Sequence, residues 1–354
     1  MFNIRLHLSF FLAFHAIMSS FVQAYKIDQS CDAKGVTVDV RNAMTSAFEM
    51  VSAAYETLTQ PPLSSDAQDL VGFLFAREGA NPAQLLQQGK LEKTITLLRN
   101  IRTYMSTEVT GDATVSASDV IIFCHYDRWV QLEGHRDLWE DTTNGYKLKF
   151  NEQQCRGSIL DNVALAVSAN PPAKQIEQEI ANTGVFKTTT VRRPAQIQLC
   201  SWFVDWIKQK EYKTADDVQK RTKIGRKMIN RAASNRMTFG LGLNQIDAYS
   251  LLDKVLLHEM THARGAFQEW TKKGVVEGIK DVLTPNIFLR QFDWAAYGWE
   301  GVGKLARKGG ELNTPGGPDN NADTIALFGS ACKLMRDPQN PRKVDSKGRI
   351  VPVT

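Results

Sequence analysis

Leu251–Gly265 (LLDKVLLHEMTHARG) constrains this chain more than any other stretch. Leu251, Leu252, Val255 and Leu256 recur at the spacing of one helical face, which predicts a core helix carrying His258-Glu259-Met260-Thr261-His262 near its end. Ser250, with Asp253 three residues on, has the pattern of a capping-box start. On such a helix His258 and His262 lie about 5–6 Å apart at Cβ on one face, so both imidazoles can meet one Zn2+ at roughly 2.0–2.1 Å. Glu259 sits beside them, placed to take a proton from a water at that ion, which is the logic of H-E-x-x-H. A catalytic zinc takes three protein ligands, and the motif supplies two.

Upstream, Met1–Ala24 has a short basic start at Arg5 and His7, an apolar run over Leu8–Val22 and a small-residue site at Val22-Gln23-Ala24. It is expected to be a secretory signal peptide, which makes the protein secreted and extracellular. No later stretch is apolar and long enough to span a bilayer. Removing Arg5 takes the charge count from 43 basic and 38 acidic residues to 42 and 38, a net charge of about +4. Much of that charge falls in Lys213–Arg231, where no aromatic residues interleave, so a solvated helix face is expected there and no nucleic acid partner. The five cysteines, Cys31, Cys124, Cys155, Cys200 and Cys332, allow two disulfides and one free thiol in an oxidising compartment.

Helical periodicity runs through Val40, Ala43, Ala47, Val51, Ala54 and Leu58, stops at Pro61-Pro62, and resumes over Leu70–Phe75 and Leu91–Ile101. Strand patterns occupy Asp119–Cys124, Tyr146–Phe150, Val185–Val191 and Gln196–Phe203. The expected fold class is α+β, with a helical N-terminal layer, a small sheet between it and the metal helix, and one domain over residues 25–335. Residues 336–354 are polar with three prolines and are expected to be a disordered tail.

For the third ligand, Gln268 stands where a metzincin would carry its third histidine, and His125 and His135 lie far upstream. The downstream acids Glu269, Glu277, Asp281, Asp293 and Glu300 are not ranked by composition.

Asp293-Trp294-Ala295-Ala296-Tyr297-Gly298 resembles the D-x-x-Y-G element that follows H-E-x-x-H in the aspzincins, the group of deuterolysin and the fungal peptidyl-Lys metalloendopeptidases. Asn321-Ala322-Asp323 with Phe328 is similar to that family's N-A-D element, and Ile197–Phe203 to its strand ending in Leu-Cys before an aromatic. The resemblance covers about Gln196 to Phe328. It implies a zincin-like fold and a zinc metalloendopeptidase acting on protein or peptide substrates. It makes Asp293 the third ligand beside His258 and His262, Glu259 the general base and Tyr297 the oxyanion donor. Three residues rather than two separate Asp293 from Tyr297, and Arg290-Gln291 replaces the usual Gly-Thr, so Asp281 and Glu300 stay open as alternatives.

The same resemblance pairs Cys31 with Cys124 and Cys155 with Cys200, leaving Cys332 free. It gives Asp323 a substrate-binding role toward a basic side chain. A second acid is missing at Ala326, so a broader endopeptidase is expected than a lysine-specific one. The competing class is a secreted, non-catalytic binding protein that keeps the scaffold. A monomer is the default, with no membrane partner.

Overall fold

The computed structural model describes residues 24–353, apart from 112, 114, 117–118, 154, 156–163, 180–185, 210–243, 250, 273 and 284–295. Its helices are α1 (Gln29–Lys34), α2 (Thr37–Thr59), α3 (Ser65–Phe75), α4 (Pro82–Gln87), α5 (Glu92–Tyr104), α6 (Ser201–Gln209), α7 (Gln245–Tyr249), α8 (Leu252–His262), α9 (Gly298–Lys308) and α10 (Ala322–Met335). The first ten strands are β1 (Ala24–Ile27), β2 (Thr107–Glu108), β3 (Val120–Phe123), β4 (Trp129–Gln131), β5 (Leu138–Asp141), β6 (Tyr146–Lys149), β7 (Ala166–Ala169), β8 (Lys174–Glu179), β9 (Phe186–Val191) and β10 (Ala195–Leu199). β11 (Gln268–Thr271), β12 (Gly274–Glu277), β13 (Arg342–Val344) and β14 (Ile350–Pro352) complete the set.

The apolar stripe Val40, Ala43, Ala47, Val51, Ala54 and Leu58 is the buried face of α2. α3 starts where Ser64 Oγ accepts the Ala67 N–H at 3.2 Å, which satisfies one of the open donors of its first turn. The centre of the core is the mutual packing of α2, α8 and α10. There Gly329 of α10 faces the other two helices, and a Cβ at that position would lie 2.9 Å from Leu257 Cδ2 and 3.2 Å from Met50 Cβ. Fully buried side chains such as Leu257 and Met50 each contribute about 1.5–3 kcal/mol by leaving water. A polar link crosses the same interface, since Ser46 Oγ donates to Asp253 Oδ2 at 2.5 Å and receives Lys333 Nζ at 2.8 Å. Asp253 therefore ties α8 to α2, and the N-cap position Leu251 has no side-chain cap; Ser250 lies outside the described residues.

The largest sheet has the order β2-β1-β3-β10-β7, parallel except for the antiparallel edge strand β7. β3 and β10 are both buried along their whole length, and in β3 the apolar run VIIF requires it. β10 instead alternates. Ile197 and Leu199 enter the main core, while Gln196 Nε2 donates to Asp141 at 2.6 Å and Gln198 Oε1 accepts from Arg128 at 2.5 Å. Those partners belong to the β4-β5-β6 side, so the paired glutamines fasten the small sheet onto the large one.

The chain departs from its sequence patterns in three places. The sheet does not separate the helical layer from the metal helix: α8 packs directly on α2 and α10 and reaches the sheet at β7. Ser201–Phe203 open α6 instead of extending β10, because the chain turns at Cys200 and buries Phe203, Val204 and Ile207 on a helical face. The stretch after Met335 is no disordered tail, since β13 and β14 pair as a hairpin with Val344 opposite Ile350. Lys343–Asp66 at 2.7 Å, Trp299 Nε1 to Ser346 O at 3.1 Å and Ile350 N to Gln245 Oε1 at 3.0 Å hold it to the body. Polar composition concealed these specific anchors. The expected signal peptide lies outside the described residues up to position 23; Ala24 opens β1, and its N–H donates to buried Asp119 at 2.7 Å. The basic stretch Lys213–Arg231 also lies outside the described residues. Among described residues no helix is long and apolar enough to cross a membrane.

Cys31–Cys124 and Cys155–Cys200 are disulfide-bonded across 93 and 45 residues, and Cys332 is a buried free thiol. Each closure removes on the order of 4 kcal/mol of unfolded-chain entropy, and both suit an oxidising compartment. Burial pushes the Cys332 thiol up to about 12. Peptide mapping without reductant should recover these two pairs. Cys332 should resist a thiol reagent at pH 8 in the native chain and react once guanidinium unfolds it.

Candidate metal centre

The metal helix α8 ends at His262, and the chain returns to it after one excursion. β11 and β12 form a hairpin closed at its base by Gln268 opposite Glu277. The chain then passes against the end of α8: Gly278 N–H donates to Phe267 O at 2.8 Å, and Ile279 N–H donates to Thr261 O at 3.0 Å. Gly278 has φ +67°, and a Cβ there would lie 2.0 Å from His262 O, so glycine alone fits the passage. Three residues on is Asp281. Asn321 locks this segment, because its Oδ1 accepts the Val282 N–H at 2.9 Å while its Nδ2 donates to Ala296 O at 3.1 Å.

One ligand atom each from His258, His262 and Asp281 lies within 4.8 Å of the others. His262 Nδ1 pairs with Ile279 O at 2.7 Å and must be the protonated nitrogen there, which leaves Nε2 as a lone pair. That Nε2 is 3.3 Å from His258 Nε2, and Asp281 Oδ1 is 3.2 Å from His258 Nε2. Asp281 Oδ1 is buried and receives no hydrogen bond. Three potential ligand atoms thus converge, so the residues present fit a metal ion.

Without a metal, a proton takes that part. Burial opposes a charge on His258, but Asp281 and Asp323 outweigh it and raise its pKa to about 10. Burial would likewise raise Asp281, yet His258, His262 and the Tyr297 hydroxyl hold it well below the usual carboxylate range.

Tyr297 immediately precedes α9, and its hydroxyl donates to Asp281 Oδ2 at 2.8 Å. Its ring centroid is 5.7 Å from that of His258. Partial burial and the Asp281 carboxylate push its ionisation above the ordinary tyrosine range, so it stays a hydrogen-bond donor at neutral pH. Glu259 is 6 % exposed beside His258, with Oε2 2.5 Å from Ser168 Oγ.

Asp323 is packed against His258 on the side of Nδ1. It is 4 % exposed; Oδ1 is 3.4 Å from His258 Nδ1 and 3.9 Å from Lys254 Nζ, and Oδ2 accepts the Gly298 N–H at 2.6 Å. Burial pushes its pKa up, but Lys254, His258 and that N–H outweigh it and lower it. Its carboxylate is committed inside the protein, where it holds the ring of His258, a candidate metal ligand. Lys254, one helical turn before His258, supplies the balancing charge.

The histidines, Glu259 and Tyr297 are therefore gathered where sequence reasoning placed them. Asp293 lies outside the described residues. Among described acids, Asp281 reaches the histidines, Glu277 pairs with Arg264 at 3.3 Å, and Glu269 and Glu300 are exposed. Asp281 was one of five downstream acids left unranked by the sequence, and the close passage of Gly278 that delivers it is visible only in the structure. Ser168 and Lys254 carry no motif and could not have been found from spacing.

Two outcomes are expected on metal titration. Replacing Asp281 with Asn should abolish stoichiometric binding, while Asp293→Ala retains it. Because metal must displace the proton on His258, apparent affinity should rise by about tenfold per pH unit from pH 6 to 8, with about one proton released per ion. A pH-independent affinity would contradict the site.

No family model, curated protein or solved structure matches this chain, so the reading of the site rests on its own geometry.

Proposed function

We propose that the chain is a secreted zinc metalloendopeptidase of the aspzincin type. The observation that supports it most is that His258, His262 and Asp281 bring three ligand atoms together, with Glu259 next to His258 on α8 and the Tyr297 hydroxyl on Asp281. Two imidazoles and a carboxylate suit zinc, and three protein ligands leave a coordination position open, as catalytic zinc requires and structural zinc does not. The two disulfides fit export.

When bound, zinc supplies Lewis acidity toward water and the scissile carbonyl. The chain's own residues supply the rest. Glu259 accepts the proton of the attacking water and passes it to the departing amine. Tyr297 O–H turns from Asp281 to the oxyanion as negative charge develops on it, a contact that strengthens in the transition state. Asp323 and Ile279 O hold the imidazoles so that each presents Nε2 to the ion.

Glu259→Gln should keep zinc and lose at least about 10²-fold in peptide hydrolysis, the usual worth of a general base. Tyr297→Phe should also keep zinc and lower kcat. Equal turnover by wild type and E259Q on casein would defeat the enzyme reading. With Asp323 committed to His258 and Lys254, cleavage of a denatured protein should not be confined to bonds before lysine. A profile of cuts almost wholly before lysine would refute that.

A further inference from the structure

We propose that Ser168 is a positioning residue that holds the Glu259 carboxylate toward the metal centre. The proposal rests on the reading of Glu259 as the base. Ser168 lies on the edge strand β7, and its pairing opposite Ile197 of β10 fixes its height against α8. Its Oγ is 2.5 Å from Glu259 Oε2 and 2.9 Å from the Glu259 carbonyl oxygen. Among the described residues Ser168 is the hydrogen-bond partner of that carboxylate, on a side chain with three rotatable bonds.

The alternative role for Ser168 is capping. The last turn of α8 leaves carbonyls open, and Asn170, just past the end of β7, serves that need: its Nδ2 donates to His262 O at 2.8 Å and its Oδ1 accepts the Arg264 N–H at 3.0 Å. Ser168 differs from Asn170 in touching the base itself. One hydroxyl hydrogen faces two acceptors on one residue, so the serine reads the backbone position and the carboxylate position of Glu259 together. That coupling sets the carboxylate by the rigid sheet rather than by side-chain torsions alone.

The test uses the full zinc-loaded chain with a fluorogenic peptide, comparing wild type, Ser168→Ala, the size-matched pair Ser168→Thr and Ser168→Val, and each change in the E259Q background. The expected result is about a tenfold fall in kcat for S168A and S168V, with KM and zinc content unchanged and S168T restored toward wild type. In E259Q the same changes should cost nothing further, because Ser168 acts through Glu259. Crystal structures should show the Glu259 carboxylate displaced in S168A and in place in S168T. Wild-type kcat in S168A, an equal loss in E259Q, or an unmoved carboxylate would each overturn the proposal. If the wild type hydrolyses nothing, the peptidase reading fails, and the crystal structures still decide the role of Ser168.

Discussion

Two imidazole nitrogens 3.3 Å apart, with a buried carboxylate oxygen 3.2 Å from one of them, need a shared positive charge between them, a proton or a metal ion. The rest of the structure depends on that convergence. Acceptors at such spacing repel unless a cation lies among them, and the fold holds them there by commitments made behind each one. His262 is held by Ile279 O, His258 by Asp323, and Asp281 by the Tyr297 hydroxyl and by the passage of Gly278 under the helix end. In the metal-free chain the raised pKa of His258 is the same demand answered by a proton.

Holding these groups is costly, and the surrounding core offsets it. Lys254, His258, Glu259 and Asp323 are all nearly buried, and charges at that depth persist only when paired. The pairing of Lys254 with Asp323 lets a carboxylate sit directly behind a metal ligand. The apolar contribution comes from α2, α8 and α10, whose close meeting at Gly329 fixes α8 in register with β7. Helix packing, strand register and the orientation of Glu259 are in this sense one constraint seen at three distances.

Regular periodicity was legible where one face is buried. The α2 stripe from Val40 to Leu58, the VIIF strand and the helix through His262 follow from spacing alone, as do His258, Glu259 and His262 themselves. Tyr297 was found by its local element. The acid that joins the two histidines was harder, because a residue contributed after a hairpin has no fixed distance in sequence from the helix it meets. Asp281 is separated from Tyr297, its hydrogen-bond partner, by sixteen positions, which no short pattern captures. Asp323 was singled out by its N-A-D element, and its contacts with His258 and Lys254 come only from the packing of α10 against α8. The hairpin β13–β14 was missed since polar, proline-containing strands are held by a few anchors such as Lys343 and Trp299, and these leave no periodic trace.

The most direct measurement is anomalous diffraction at the zinc edge from crystals of the zinc-loaded protein. The account predicts one strong peak roughly 2.0–2.2 Å from His258 Nε2, His262 Nε2 and an oxygen of Asp281. No peak there, or a peak completed by Asp293 or Glu300 with Asp281 turned away, would contradict it.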